Sequence, residues 1–343
     1  MRKLLNTLYV MSEDVYLALD GENIVILRDE ETVGRFPLHT LENIVSFTYK
    51  GASPSLMGAC AEKGIDLSFY SPRGRFLARV SGRSYGNVLL RKEQYRISDD
   101  LNRSALYARN MILGKVFNCR WSLERTIRDN GMRVDTERIK GVSQELNEGL
   151  EQIRVCEDLD TLRGIEGELA SRYFYVFDEL IINQKSDFAF HGRNRRPPLD
   201  NINALLSFAY TVLGNECAAA LESVGLDPYV GFLHRDRPGR QSLSLDLMEE
   251  LRGIMADRFA LTLINKKIIK GEHFDYQGDG AVLQSDEGRK QFFAAWQQRK
   301  KETITHPFLN EKIPWGLVPY VQAMLLARTI RGDLESYPPF LWK

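Results

Sequence analysis

The apolar residues of this chain repeat with one period up to about residue 81 and with another beyond it, so one kind of secondary structure cannot satisfy both stretches. From Leu4 to about Ser81 the period is two. Val15, Leu17 and Leu19 alternate with polar or smaller residues, Asp20-Gly21 offers a tight turn, and Ile24 and Ile26 resume the alternation beyond it. That pattern predicts a hairpin. Further strand-like runs lie at 32–36, 44–49, 66–70 and 76–80, with one helical interruption at 54–62, where Pro54 suits a first turn. The segment 1–82 therefore predicts a small β domain, read as a sandwich. Residues 83–97 show no clear period and read as a connection.

Helical spacing takes over afterwards. Ser98, followed by Asp99 and Asp100, predicts a helix start, because a side-chain oxygen caps free amides and acids suit the positive end of the helix dipole. Helices are predicted at 98–129, 136–156, 160–182, 200–223, 243–270, 286–302 and 315–331. The expectation is an α+β protein, with a small N-terminal β-sandwich domain followed by a larger all-α helical domain over 98–343. The closing GDLESYPPFLWK reads as a tail, since Pro338 and Pro339 forbid further helix.

A length of 343 residues suits about two domains of about 150 residues each. Cys60, Cys119, Cys156 and Cys217 lie far apart with no C-x-x-C pair, which argues against a zinc knuckle or a disulfide scaffold and for a reducing compartment. The first apolar stretch is interrupted by Ser12, Glu13 and Asp14, and no run approaches the roughly 18 apolar residues of a membrane span. The expectation is a soluble, cytoplasmic protein.

With 46 basic and 46 acidic residues the net charge is zero, which by itself counts against nucleic-acid binding. The charge is unevenly spread. Between His191 and Pro198, Arg193, Arg195 and Arg196 stand without an acid, and five basic residues do so between Arg289 and Lys301. Phosphate binding and a solvated helix face account for such runs equally well.

Three places carry candidate chemistry. In TLRGIEGELASRYF, Glu166 neighbours a helical stripe of Leu162, Ile165, Leu169 and Tyr173, so it sits close to a buried face where an unpaired carboxylate is costly. Gly164 and Gly167 weaken that helix, which points to a backbone or ligand approaching closely. Taken alone, a helix-boundary glutamate in solvent is the plainer account. In GLDPYVGFLHRDRPGRQSLSLDLMEELR, His234 ends an apolar run, and Asp246 and Glu249 share a helix face three residues apart, with Glu250 pointing elsewhere. An imidazole and two or three carboxylates converging from separate helices would make a hard, mainly oxygen site suited to magnesium or manganese. A structural histidine and surface ion pairs explain the same residues. In FHGRNRRPPLDNINALLSFAYTVL a basic loop leads into a helix with Asp200 as candidate cap, and Asn203 and Tyr210 fall on one face, where they could support a neighbouring site or pack in the core. His39, His191, His273 and His306 lack carboxylates at comparable spacing.

In their order and spacing, G-I-E-G, then R-R-P-P-x-D-x-x-N-A-L-L-S-F-x-Y, then G-F-L-H with S-L-x-L-D-L-M-E resemble the CRISPR-associated protein one family, the integrase of spacer acquisition. The resemblance spans nearly the whole chain, and the opening KLLNTLYV with the ending RGDLESYPPFLWK is similar to its subtype I-C branch. It implies metal ligands at Glu166, His234 and Glu249, with Asp246 matching a second functional acid and competing for the third position, where some members carry Asp. It implies metal-dependent attack of a protospacer 3′-hydroxyl on a phosphodiester of the repeat, nuclease activity with water as nucleophile, and magnesium or manganese as cofactor. It further implies a homodimer, built through the β domain, that assembles with CRISPR-associated protein two on prespacer and repeat DNA. Arg193, Arg195, Arg196, Arg235, Arg237 and Arg240 flank the proposed site in sequence and are candidates for phosphate contacts. A structure-selective repair nuclease and a DNA-binding scaffold with a structural metal are the competing readings.

Overall fold

The computed structural model describes residues 6–71, 76–80, 82 and 88–343. Leu4 and Leu5 of the predicted β pattern, Ser81 at its end, and 83–87 of the predicted connection lie outside the described residues. Two compact units divide the chain, one within Met1–Tyr85, Gln284–Glu302 and Pro314–Leu317, the other within Gly86–Leu283, Thr303–Ile313 and Val318–Lys343.

The first unit is built from β1 (Thr7–Val10), β2 (Tyr16–Asp20), β3 (Asn23–Arg28), β4 (Glu31–Pro37), β5 (Asn43–Ser46), α1 (Pro54–Lys63), β6 (Asp66–Tyr70) and β7 (Phe76–Arg79). The strands form two sheets. One has the order β1-β5-β6-β7, with β1, β5 and β6 parallel and β7 antiparallel; the other is the antiparallel meander β2-β3-β4. The predicted hairpin pairs Leu17 with Ile26 and Leu19 with Ile24, so the alternating apolar residues share one face. That face joins a core with Val10, Ile44 and Leu67 of the other sheet and Leu56 and Cys60 of α1. Burying each large aliphatic side chain there contributes roughly 2 kcal/mol. Helix α1 starts where Pro54 predicts, Ser53 Oγ accepting from Leu56 N at 3.2 Å, and it stops at Gly64, whose φ of +67° only glycine adopts freely.

The second unit is helical: α2 (Val88–Asp99), α3 (Leu101–Asn130), α4 (Thr136–Val155), α5 (Leu159–Tyr175), the short α6 (Lys185–Phe188), α7 (Asn201–Ser223), α8 (Ser242–Arg252) and α9 (Arg258–Asn265). The stretch read as a connection holds most of α2, because Leu90, Gln94 and Ile97 recur at helical spacing and are buried. The following helix begins at Leu101 rather than Ser98, with Asp100 accepting from Asn102 N and Arg103 N. Asp200 caps α7 as predicted, accepting from Asn203 N at 2.8 Å. The predicted helix 243–270 is α8 and α9 joined through a π turn, Gly253–Asp257. Among the described residues one helix, α7, is long and apolar enough to cross a membrane, and 67% of its apolar window is buried inside the protein.

Beyond α9 come two small ribbons, β8 (Phe274–Tyr276) with β9 (Val282–Gln284), and β10 (Thr303–Thr305) with β11 (Lys312–Pro314), on either side of α10 (Asp286–Lys301); α11 (Val318–Ile330) follows. The expected helical stretch 98–343 is therefore not uniform, since α10 groups with the β strands. The cause is aromatic: Phe293 stacks on Tyr9 with ring centroids 4.3 Å apart and lies 5.6 Å from Phe47. The predicted tail is also packed. Tyr337 and Phe340 are buried, Asn118 Nδ2 donates to Phe340 O at 2.8 Å, and Asn118 Oδ1 accepts from Trp342 N at 3.1 Å. Two prolines end a helix there, but they do not keep the aromatic residues around them out of a core.

The β3–β4 turn pairs Arg28 with Glu31 and places Asp29 and Glu30 at φ +47° and +68°, a left-handed conformation that penalises a Cβ. Glu30→Gly should raise stability by roughly 0.5–1 kcal/mol. Urea denaturation checks this, and an unchanged or lower midpoint would refute the turn geometry.

Candidate active site

Three helices of the second unit bring ionisable side chains together. Helix α3 carries Lys115, α5 carries Glu166 and α8 carries Asp246, Glu249 and Glu250. Helix α5 is aligned by Asp158, which accepts from Thr161 N at 2.7 Å, and by the buried Leu162, Leu169 and Tyr173, so Glu166 stands at the edge of the packed face with a quarter of its side chain exposed. Apart from its chain neighbours and the backbone of its own helix, nothing described lies within 4 Å of a Cβ built at Gly164 or Gly167, so the expected close approach of another backbone does not occur there.

The Lys115 ammonium contacts Glu166 Oε1 and lies 2.5 Å from Glu249 Oε2. Glu249 Oε1 accepts from Arg252 Nη1 at 3.0 Å. Burial opposes the charge on Glu249, but Arg252 and Lys115 overcome it and pull the carboxyl down to about 2. Asp246 is placed differently. It is fully buried, Oδ2 accepting from Phe232 N at 2.6 Å and Leu233 N at 2.9 Å, and Oδ1 facing His234 N at 3.0 Å and His234 Nδ1 at 2.6 Å. Both its oxygens thus bind the loop that ends in His234, and with Nδ1 engaged the imidazole keeps Nε2 for another partner. Burial works against a proton on His234, yet Asp246, with Glu249 adding to it, holds its pKa above the ordinary imidazole value. Glycine is required next to this clamp, because a Cβ at Gly231 would meet Asp246 Oδ2 and Ser242 Cβ at 2.8 Å.

Asn203 and Tyr210 support the same region. Asn203 Oδ1 accepts from Arg193, its Nδ2 donates to Gly192 O at 2.9 Å, and the Arg193 and Arg252 guanidiniums both lie over the Tyr210 ring, 5.1 and 5.0 Å from its centroid. Tyr210 Oη donates to Asp257, a buried acid in the π turn. Arg193 is therefore bound within the protein, whereas Arg195, Arg196, Arg235 and Arg237 are exposed. Arg235 pairs with Asp160 at 3.1 Å, and Arg240, partly buried, donates to Arg235 O. A pocket of about 320 Å³ opens beside His234, between Phe232, Arg163, Arg235 and Leu101. His306, read as uninvolved, is buried, with Nδ1 accepting from Phe308 N and Leu309 N and Nε2 facing Gln322.

Two participants escaped the sequence reading. Lys115 sits in the α3 apolar stripe, three and four residues after the buried Ile112 and Met111 and four before the buried Cys119, a place where a charge needs a partner. Arg252 follows Glu249 by one helical turn and reads as an ordinary surface pair, but its side chain is 16% exposed. Among the described residues, no three His, Cys, Asp or Glu side chains stand in a metal-binding array as they lie, the Lys115 ammonium being between two of the acids.

The profile of the CRISPR associated protein Cas1 family matches residues 8–298. A CRISPR-associated endonuclease Cas1 of Rhodospirillum rubrum is 51% identical over 350 residues, covering all of both chains. Among solved structures, a casposase bound to integration product superposes with a TM-score of 0.84 at 20% identity, over 99% of this chain and 95% of that one. A chain of a Cas6-RT-Cas1–Cas2 complex does so at 0.80 and 21% identity, over 98% of this chain and 36% of that one. At such identities the two structures speak to the fold.

Glu250, the next acid along α8, is fully buried, takes bonds from Tyr337 Oη, Gln322 Nε2 at 2.9 Å and Phe340 N at 3.3 Å, and is paired with no cation among the described residues. Burial pushes its carboxyl up to about 7 from an ordinary value of 4.5. The folded protein then holds a proton that the unfolded chain has released, so stability falls as pH rises through this window, by about 3 kcal/mol in full. Thermal unfolding between pH 5 and 8 should show that decline, and Glu250→Gln should flatten it. A slope equal in both proteins would contradict the assignment. Separately, Gly231→Ala should cost about 1–3 kcal/mol through the crowded loop, read by urea denaturation, and a variant as stable as the parent would refute the close approach.

Proposed function

The chain belongs to the CRISPR-associated protein Cas1 family, and from that premise we propose that it is a metal-dependent DNA endonuclease and integrase. Its reaction is the insertion of spacer DNA into a CRISPR array, a 3′-hydroxyl attacking a phosphodiester of the repeat. One phosphodiester bond forms as another breaks, and with water as nucleophile the same site cleaves DNA. The observation that carries this reading is the meeting of Glu166 and Glu249, from α5 and α8, on one cation, close to an imidazole aimed by Asp246.

Glu166, Glu249 and Nε2 of His234 would hold the ion. Two carboxylates and one imidazole suit magnesium or manganese, and the Lys115 ammonium between the acids marks a place where this protein stabilises positive charge. When bound, such an ion supplies Lewis-acid polarisation of the phosphoryl group and neutralises charge during in-line displacement. Asp246 is a positioning residue: it fixes the His234 ring and the 232–234 backbone, and its oxygens are already committed. Arg252 keeps Glu249 oriented from the opposite side. The exposed Arg195, Arg196, Arg235 and Arg237, with Arg240, are the phosphate contacts of this reading, while Arg193 braces the basic loop against Asn203 and Tyr210.

The same reading extends to assembly. We place the protein in the cytoplasm, in the subtype I-C branch, as a homodimer working with Cas2 on prespacer and repeat DNA. The boundaries 1–82 and 98–343 separate assembly from chemistry in this reading, with 284–302 and 314–317 going with the first. Strand β4 is an exposed edge with Val33 and Phe36 in solvent, a surface that a second copy would cover. A Cas1–Cas2 complex among the structural neighbours supports the partner.

Joining of a 3′-hydroxyl duplex into a repeat-bearing plasmid, with Cas2 present, should require magnesium or manganese. Glu166→Ala or Glu249→Ala should reduce joined product at least a hundredfold while DNA affinity stays within about threefold. Joining that persists in either variant rejects the ligand assignment, and cleavage without joined product favours a repair nuclease.

A further inference from the structure

Glu166 and Glu249 come from different helices, are both partly or wholly withdrawn from water, and repel one another unless a cation stands between them. That cation is supplied by the chain itself. Lys115 reaches both carboxylates with a side chain only 4% exposed, and among the described residues Glu166 has no other ion-pair or hydrogen-bond partner, whereas Glu249 also holds Arg252. The four charges sum to zero as the site stands. Adding a divalent ion with the ammonium left in place would put two further positive charges into a largely buried space, so the ion and the ammonium compete for one position.

We propose that Lys115 is a resident counter-ion that holds Glu166 and Glu249 together in the metal-free protein and leaves that position when a divalent ion binds. The inference rests on the metal-site reading above and adds a residue to it. It assigns Lys115 two opposed effects: it keeps the acids assembled before metal arrives, and it weakens metal binding by occupying the place the ion takes. Exchange of one monocation for one dication then accompanies loading, and the carboxylate geometry survives loss of the metal.

The test is calorimetric titration of the metal-free, full-length protein with MnCl2 at low ionic strength, comparing the parent with Lys115→Met, Lys115→Arg and Glu166→Gln. Lys115→Met should bind manganese at least tenfold more tightly than the parent, and its metal-free form should melt at lower temperature and regain that loss on adding manganese. Lys115→Arg, which keeps the charge, should bind no more tightly than the parent. A folded Lys115→Met protein with parental or weaker affinity overturns the proposal and leaves the metal site standing, provided Glu166→Gln still abolishes binding. No Glu166-dependent manganese signal in the parent or in Lys115→Met overturns the site and the proposal together. If Lys115→Met fails to fold, reductive methylation of the parent, read by peptide mass spectrometry, decides: Lys115 should become several-fold more reactive when manganese is present, and unchanged reactivity overturns the idea.

Discussion

Three carboxylates within five residues of one short helix, Asp246, Glu249 and Glu250, are all taken out of water, and an unsolvated charge is too costly to remain without a partner. The fold answers each differently. Asp246 is satisfied by backbone amides and one imidazole, which converts it into the anchor of a loop. Glu249 faces two cations, Lys115 at one oxygen and Arg252 at the other, which keeps it ionised. Glu250 has only neutral donors, which favours the protonated acid and makes it part of the core. One turn of helix thus yields an anchor, a charge and a neutral hydrogen-bonding group, and the surrounding helices are arranged to supply those three environments.

A line of contacts links the basic loop to the acids. Asn203 fixes Arg193, Arg193 lies over one side of Tyr210, Arg252 lies over the ring as well, and Arg252 holds Glu249. The π turn contributes by placing Asp257 under the Tyr210 hydroxyl. The loop that presents Arg195 and Arg196 to solvent and the carboxylate that faces Lys115 are therefore braced by a single tyrosine. Such an arrangement relates an exposed basic segment to a charged centre through packed aromatic and guanidinium groups, whose geometry tolerates little slack.

Much of this was legible in the sequence where local chemistry decides structure. The period-two alternation through Leu17 and Ile24 gave the hairpin and its register, and Ser53, Gly64 and Asp200 act at helix ends as their side chains or lack of one dictate. What escaped was set by contacts distant in sequence. Residues 88–99 carry a mixed surface whose helical period rests on Leu90, Gln94 and Ile97, and the second of these is polar, bonded to Asp227 O and Val230 O. Likewise Lys115 looks like a flaw in an apolar stripe until two acids from other helices are brought to it. The choice between Asp246 and Glu249 turns on which face of the helix meets the 232–234 amides, and spacing alone carries no sign of that.

The packed C-terminal segment bears on how the protein comes into being. Tyr337 and Phe340 bind Glu250 and Asn118, so helix α8 and the long helix beside it share their final contacts with residues translated after every candidate ligand. During synthesis the acids of α8 are thus present, with no Tyr337 hydroxyl over Glu250, until Tyr337 itself has emerged from the ribosome. Completion of the surroundings of α8 in this sense waits for a residue 87 positions beyond Glu250, and a chain cut short before Tyr337 would display the acids without the clamp that sets their helix in place.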